Sequence, residues 1–280
     1  MTPGTSTVTQ AEKGRRFSEL HEREGAFIIP NPYDAGTARL LEQVGFEALA
    51  TTSSGYAFTQ GRRDGGLTRE QALEGVRVIA DATDLPVSAD LENGFGDAPE
   101  AAAEAIRLAA AAGAVGGSIE DSTQRTDSPI YDLELAAQRV RAAAETAKAL
   151  PFAFTLTARA ENYLYGFRDL QDTIRRLQAF QDAGADVLYA PGLTTKDEIA
   201  AVVSSVDRPV NVLMGLKGVQ LTLADLSGLG VRRISVGGGL CRAALGAFLR
   251  AAREMRGAGT FTFAEQAVFS LSELTRDFRP

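Results

Sequence analysis

The feature that most constrains this chain is a punctuation that repeats four times. Eight short apolar runs, at 26–30, 48–52, 87–91, 115–120, 152–158, 186–190, 210–214 and 233–236, alternate with Ala- and Leu-rich stretches. A glycine precedes the second, fourth, sixth and eighth runs: Gly45, Gly113, Gly184 and Gly230. Glycine there suits the left-handed residue that ends a helix. A proline precedes the third, fifth and seventh: Pro86, Pro151 and Pro209. Proline stops a helix and opens a strand, where its missing N–H matters least. The stretches between, such as 98–112 and 133–150, carry apolar residues at helical spacing. Strands apolar on both faces suit a parallel sheet covered by helices. Eight strand–helix units in 280 residues predict an α/β fold, a (β/α)8 TIM-type barrel; an open doubly wound sheet is the structural alternative. No composition shift divides the chain, so a single barrel domain over 1–280 is expected. A helical extension covers 1–24, and an additional helix covers 260–280, set off by the glycines at 257 and 259.

Scarcity then narrows the chemistry. There is one histidine, His21, in a charged amphipathic helix ahead of the repeats, and one cysteine, Cys241. The lysines are Lys13, Lys148, Lys196 and Lys217. A Ser-His-Asp triad, a Cys-His pair, a His-rich zinc site and a disulfide framework are all excluded. Cys241 reads as a small buried residue. Net charge is −7 with no basic run, which argues against nucleic acid. No apolar run is long enough to cross a bilayer, and the N-terminus lacks a secretory apolar segment. The expected location is the cytoplasm.

Function in such a barrel collects at the C-terminal ends of the strands. Strand 3 ends in ADLENG with Asp90 and Glu92, strand 4 in SIEDS with Glu120 and Asp121, and strand 5 in TARAEN with Arg159 and Glu161. Any one such acid could cap a helix, and Asp97 reads as the N-cap of the helix over 98–112. Asp90, Glu92 and Glu120 together come from neighbouring strands and converge. Carboxylates that close repel unless a cation or shared protons compensate. With only oxygen donors available, the expected cation is Mg2+, or Mn2+. Arg159 beside it could grip a carboxylate or phosphate with two prongs. Ser53, Ser54 and Gly55, after strand 2, offer hydroxyls and a closely approachable backbone N–H. The Gly237–Gly239 triplet after strand 8 is a weak phosphate-site signal. Leu91, between the two acids, should point outward to the helices.

The words PNPYDAGTARLLEQVGFEALATTSSG, DGG at Asp64, PVSADLENGFG, GGSIEDS, TARAEN and GADVLYAPG, in this order and spacing, resemble the isocitrate lyase/phosphoenolpyruvate mutase superfamily from about residue 17 to 253. The resemblance implies a barrel whose extra C-terminal helix is swapped between subunits, assembled as a dimer or tetramer. It also implies Mg2+ and a small 2-oxo acid substrate. Residue by residue it makes Asp90 the metal-ligand aspartate, Glu92 the second metal-site acid in a place usually held by Asp, and Glu120 the acid that holds metal-bound water. Ser53, Ser54 and Gly55 would grip the substrate carboxylate together with Arg159. It adds Asp64 as a catalytic residue, and Asn211 and Arg242 as substrate-binding residues. The loop over 121–132 reads DSTQRTDSPIYD and lacks the Lys-Lys-Cys-Gly-His word of the true lyases. It reads as a Ser-, Thr- and Asp-rich lid.

The functional expectation is a Mg2+-dependent lyase that breaks a C–C bond of a 2-oxo acid through a metal-stabilised enolate, by decarboxylation as on oxaloacetate or by retro-aldol cleavage. The alternatives are a C–P bond enzyme of the phosphonopyruvate type and a catalytically reduced 2-oxo acid binding protein. A Schiff-base aldolase would have to use Lys217, the one lysine near a strand end.

Overall fold

The computed structural model describes residues 8–266 and Phe278. Its eight strands are β1 (Phe27–Ile29), β2 (Leu49–Ala50), β3 (Val87–Asp90), β4 (Gly116–Glu120), β5 (Thr155–Arg159), β6 (Val187–Tyr189), β7 (Val210–Leu213) and β8 (Arg233–Ser235). All pairings are parallel, in the order β1-β8-β7-β6-β5-β4-β3-β2. The seam between β1 and β2 is closed by the Ala50 N–H, which donates to the Pro30 carbonyl at 3.1 Å. The result is a nearly closed barrel with helices around it, as predicted. The four helix-ending glycines, Gly45, Gly113, Gly184 and Gly230, all have φ between 86° and 103°, a region that a side chain would strain.

Ten helices complete the described chain. The outer ring contains α2 (Ala35–Val44), α4 (Arg69–Ala82), α5 (Pro99–Ala111), α6 (Leu133–Lys148), α7 (Leu170–Asp182), α8 (Lys196–Ser204), α9 (Leu223–Gly228) and α10 (Gly239–Gly257). A short α3 (Ser53–Thr59) follows β2 directly. Ahead of the barrel, α1 (Gln10–Glu22) closes its N-terminal end: the Lys13 ammonium donates to the Thr83 carbonyl at 2.7 Å, and the Phe17 ring fills the space left by Gly116. His21 is not on the charged face. It is buried between the Phe17 and Phe27 rings, with Nδ1 2.8 Å from the Phe17 carbonyl. Burial, with Arg233 adding, pushes its pKa down to about 3, so it stays neutral and structural.

Three local expectations are corrected. Asp97 does not cap α5; the N-cap position is Ala98, and the Asp97 carboxylate instead accepts from the Tyr131 hydroxyl at 2.6 Å and from Arg125 at 2.7 Å. The fifth strand begins at Thr155 rather than 152, because 152–154 pass beneath the barrel against α1, where Gly14 admits the Ala153 carbonyl. The strands are also not apolar on both faces. The main core, with Ala89, Leu91, Ile119, Leu156, Leu188, Val212 and Ile234, lies between sheet and helices. The inward row carries Glu120, Arg159, Tyr189, Asn211 and Arg233, aligned across β4 to β8 by the register. Leu91 is fully buried in the outer core, as strand alternation requires. Of the predicted C-terminal helix, only a 3-10 turn, Thr262–Gln266, falls within the described residues, so its swap lies outside them. Among the described residues, no helix is long and apolar enough to cross a membrane.

Candidate active site

The register decides which polar residues meet. Asp90 pairs with Ser118, two residues before Glu120, and Glu120 pairs with Arg159. Positions two apart on a strand share a face, so all three point inward at the mouth. There a cavity of about 570 Å3 opens, lined by Thr52, Ser53, Ser54, Arg63, Asp64, Asp90, Glu92, Glu120, Gln124, Thr126, Arg159, Glu161, Leu164, Tyr165, Leu213, Gly237 and Gly238, among others.

Arg159 is the centre of the site. Its Nη1 is 3.0 Å from Asp90 Oδ1, and its Nη2 is 3.3 Å from Glu120 Oε2 and 2.8 Å from Glu161 Oε1. Nε donates to Glu161 as well, at 2.9 Å. The Tyr189 ring supports the guanidinium from 5.1 Å. Burial opposes the charge, but Glu161, Glu120 and Asp90 outweigh it and hold the Arg159 pKa high. Glu120 and Glu161 are pushed above the usual carboxylate range, foremost by burial. Their mutual repulsion across one guanidinium adds to the rise of Glu120. The other Asp90 oxygen accepts from the Ser53 N–H at 3.0 Å and the Ser53 hydroxyl at 2.8 Å.

Glu92 differs in kind. It is just past β3 with φ at 51°, and its carbonyl accepts from the Glu120 N–H at 3.0 Å. One carboxylate oxygen accepts from the Gln124 amide of the loop after β4. The other, Oε1, is buried without a hydrogen-bond partner. Burial first, then the Asp90 charge, raise Glu92 to about 7. The longer side chain therefore joins the loop to the acid cluster, which an Asp would be one methylene short of doing.

The donors available to a cation here are of the kind Mg2+ takes. They are all oxygens, and one buried carboxylate oxygen lacks a partner. Among the described residues, no group of three or more His, Cys, Asp or Glu side chains is placed to hold a metal ion by itself. Mg2+ is ordinarily held by one or two carboxylates plus waters and substrate, so the arrangement fits.

The other predicted residues fall out as follows. Ser53 and Ser54 line the cavity, and Ser54 Oγ is 3.1 Å from Thr52 Oγ1. Gly55 is one step behind: its N–H donates to the Thr52 hydroxyl, and an added Cβ would lie 2.6 Å from Thr52 Cγ2. Asp64 is at the rim, its carboxyl raised by partial burial and by Asp90. Asn211 lies deeper, in a separate cavity of about 60 Å3 that it shares with Asp90 and Arg159. There it donates to Ser235 at 3.0 Å and accepts from Arg233 at 3.0 Å. Arg242, on α10, does not line the larger cavity but lies beside Gly238, which does. Lys217 is exposed and away from it, and none of the four lysines lines it, which removes the Schiff-base reading. Cys241 is buried against Gly55, as expected.

Sequence reasoning left Glu161 out of the site, although it stands two residues past Arg159, and missed Gln124, Tyr165 and Arg63. The signal for Glu161 was the same alternation that places Glu120 two past Ser118. The loop over 121–132 is held by its own hydrogen bonds and by Tyr165. The Thr123 N–H donates to the Pro129 carbonyl at 2.8 Å, the Tyr131 N–H to the Asp121 carbonyl at 2.9 Å, and the Ser122 hydroxyl lies 2.7 Å from the Tyr165 hydroxyl.

The raised acids make a prediction. A carboxyl raised on folding contributes stability that is full below its unfolded pKa near 4.5 and is lost as pH rises through its folded value, about 7 for Glu92. Metal-free protein should therefore melt at falling temperature between pH 5 and 8, and Glu92→Gln should flatten this trend by on the order of 3 kcal/mol. Melting curves at each pH test this; identical slopes for the two proteins would refute it.

The family model described as phosphoenolpyruvate phosphomutase matches residues 17–256. A Burkholderia cenocepacia J2315 protein, described only provisionally as a lyase/mutase, has a crystal structure similar to this chain at 62% identity, with TM-score 0.94 and 97% of each chain covered. Phosphonopyruvate hydrolase of Variovorax sp. (strain Pal2) is 30% identical over 98% of this chain and 94% of its own; a structure of phosphonopyruvate hydrolase with oxalate and Mg2+ is similar at 27% identity and TM-score 0.83, covering 94% of each chain. The 2-methylisocitrate lyase of Halalkalibacterium halodurans is 26% identical over 83% of this chain and 73% of its own. With the barrel, the acids at the ends of β3 to β5 and the matched words in one order, the chain belongs to the isocitrate lyase/phosphoenolpyruvate mutase superfamily.

Proposed function

We propose that this protein is a Mg2+-dependent enzyme that breaks a carbon–carbon bond beside the oxo group of a small 2-oxo acid. Its relatives include lyases and hydrolases, which supports an enzyme cleaving C–C or C–P bonds. The observation that carries the reading is the crowding of Asp90, Glu120 and Glu161 on one guanidinium, with Glu92 Oε1 left unsatisfied beside them. Asp90 would hold the ion, with Glu92 and Glu120 acting largely through water. When bound, Mg2+ supplies a Lewis acid that polarises the oxo group. Ser53, Ser54 and Arg159 hold the substrate carboxylate, for which the Arg159 guanidinium is already placed in the cavity wall. Asp64, at the rim, takes the hydroxyl proton that retro-aldol cleavage releases; loss of CO2 needs no base, and the enolate it leaves is protonated afterwards from solvent. The loop at 121–132 brings Gln124 and Thr126 to the wall and excludes water.

The test is a turnover screen of oxaloacetate, phosphonopyruvate, 2-methylisocitrate and 4-hydroxy-2-oxo acids, with and without Mg2+. One of the C–C substrates should turn over, EDTA should abolish it, and Asp90→Ala should lower it by about 10^2–10^3-fold. Full turnover and metal binding by Asp90→Ala would end the proposal. Phosphonopyruvate alone as substrate would favour the C–P reading, for which the similarity to phosphonopyruvate hydrolase speaks.

The working form is a homo-oligomer, a dimer or tetramer. On α10 the apolar side chains Leu245, Phe248 and Leu249 share one face by their three- and four-residue spacing and are exposed, Phe248 by 69%. Replacing Leu245 and Phe248 by Glu should shift light-scattering mass to that of one chain. An unchanged mass would show that this face takes no part.

A further inference from the structure

Resting on that reading of the site, we infer that the substrate is a 2-oxo monocarboxylate whose far end is uncharged and apolar, rather than a second carboxylate or a phosphonate. Three observations meet here. The first is an apolar part of the cavity lining, formed by Leu164, Tyr165 and Leu213. Leu164 and Tyr165 are 52% and 42% exposed, large apolar surface left open at the mouth of an otherwise acidic site. Exposed apolar surface inside a ligand cavity is covered when a ligand tail occupies it. The Tyr165 side chain is held, not adrift: its hydroxyl is 2.7 Å from that of Ser122, which fixes the wall against the loop after β4.

The second observation is charge. Five carboxylates line the cavity against two guanidinium groups, those of Arg63 and Arg159. Arg159 is already shared by three of the five. Fully ionised, the five would still exceed the positive charges of the lining by one after a divalent cation had brought two more. The first substrate carboxylate has Arg159 and the cation to receive it. A second anionic group has Arg63, an exposed side chain at the rim next to Asp64, and Arg242, which lies behind Gly238 rather than in the cavity wall. Like charges brought together in a partly desolvated pocket repel strongly enough to select against the wrong ligand.

The third is the loop over 121–132. Its residues in the cavity wall are Gln124 and Thr126, both neutral, and the Gln124 amide is committed to Glu92. The loop therefore offers no cation to the far end of a substrate. Together these place a hydrocarbon tail between Leu164, Tyr165 and Leu213. Among the candidate reactions they favour retro-aldol cleavage of a 4-hydroxy-2-oxo acid with an alkyl tail over decarboxylation of oxaloacetate.

Calorimetric titration of the whole protein in saturating Mg2+ decides this without requiring turnover. The ligands are pyruvate, 2-oxopentanoate, 2-oxohexanoate and 2-oxoglutarate. Pyruvate should bind, and each added methylene should tighten binding by about fourfold. 2-Oxoglutarate should bind at least about tenfold more weakly than 2-oxohexanoate. Leu164→Arg, at an exposed position that tolerates the change, should reverse that ranking. A flat chain-length series, or 2-oxoglutarate as the tightest ligand of the native protein, would overturn the inference and leave the 2-oxo acid reading intact. No binding of pyruvate or of any longer 2-oxo acid would overturn that reading and the inference with it.

Discussion

Arg159→Met removes turnover and lowers stability by about 3–5 kcal/mol, the usual effect of taking one partner from a buried ion cluster. The side chain is 15% exposed and touches three carboxylates, so its loss strands Asp90, Glu120 and Glu161 against one another. Arg159→Lys keeps the charge but cannot reach three partners from one nitrogen, so it should fall between the two. The direction with pH is fixed by the acids. Their folded pKa values are raised, so protonation relieves the repulsion, and the gap between variant and native protein should close as pH falls toward 5. Chemical unfolding at pH 8 and pH 5, with turnover measured on the screened substrate, would show it. A variant as stable as the native protein at pH 8 would mean that the cluster is solvated and unimportant.

The second large effect lies behind the site. Arg139 is 1% exposed, and among the described residues its hydrogen bonds go to backbone carbonyls. It donates to the carbonyls of Asn93, Gly96 and Asp97, with a longer bond of 3.3 Å to that of Ala98, and its guanidinium is 4.5 Å from the centre of the Tyr131 ring. This one side chain thus ties the turn after β3 to the start of α6. That turn is otherwise costly, since Glu92 and Phe95 have φ of 51° and 62°. Arg139→Met would leave several carbonyls without a donor, at about 1–3 kcal/mol for each one that water cannot reach. A total loss of about 4 kcal/mol, or roughly 7 °C in melting temperature for a chain of this size, is expected. Mg2+ affinity should fall too, because Glu92 is on the freed turn. A loss below 1 kcal/mol would show that water or a rearranged turn takes over Arg139's bonds.

The sequence placed most of the candidate residues where the structure brings them together. Asp90, Glu92, Glu120 and Arg159 are at strand ends that the Gly/Pro punctuation locates, and all four line the same cavity. Asp64, Ser53 and Ser54 join them there. Asn211 and Arg242 do not line it. Asn211 is on the inward row of β7, but deep enough to be taken up by Arg233 and Ser235. Asp97 shows the opposite failure. Its sequence context is that of a helix cap, yet its carboxylate pairs with Tyr131 and Arg125, 34 and 28 residues away. A short-range rule loses to a partner that only folding brings near.

The sequence by itself determined the barrel, the strand ends that carry its chemistry and a donor set made of oxygen. These follow from rules that act within a few residues: helix caps, prolines at strand starts, side-chain periods and the near-absence of His and Cys. Only the tertiary structure decided how the polar residues share one another. Arg159 meets Asp90 across 69 positions of chain, Arg233 reaches Thr157 across 76, and Gln124 closes on Glu92 across 32. Which residue takes which partner depends on strand register, the depth of each position in the barrel and the reach of the side chain. Those are properties of two segments at once, and no stretch of sequence carries them alone.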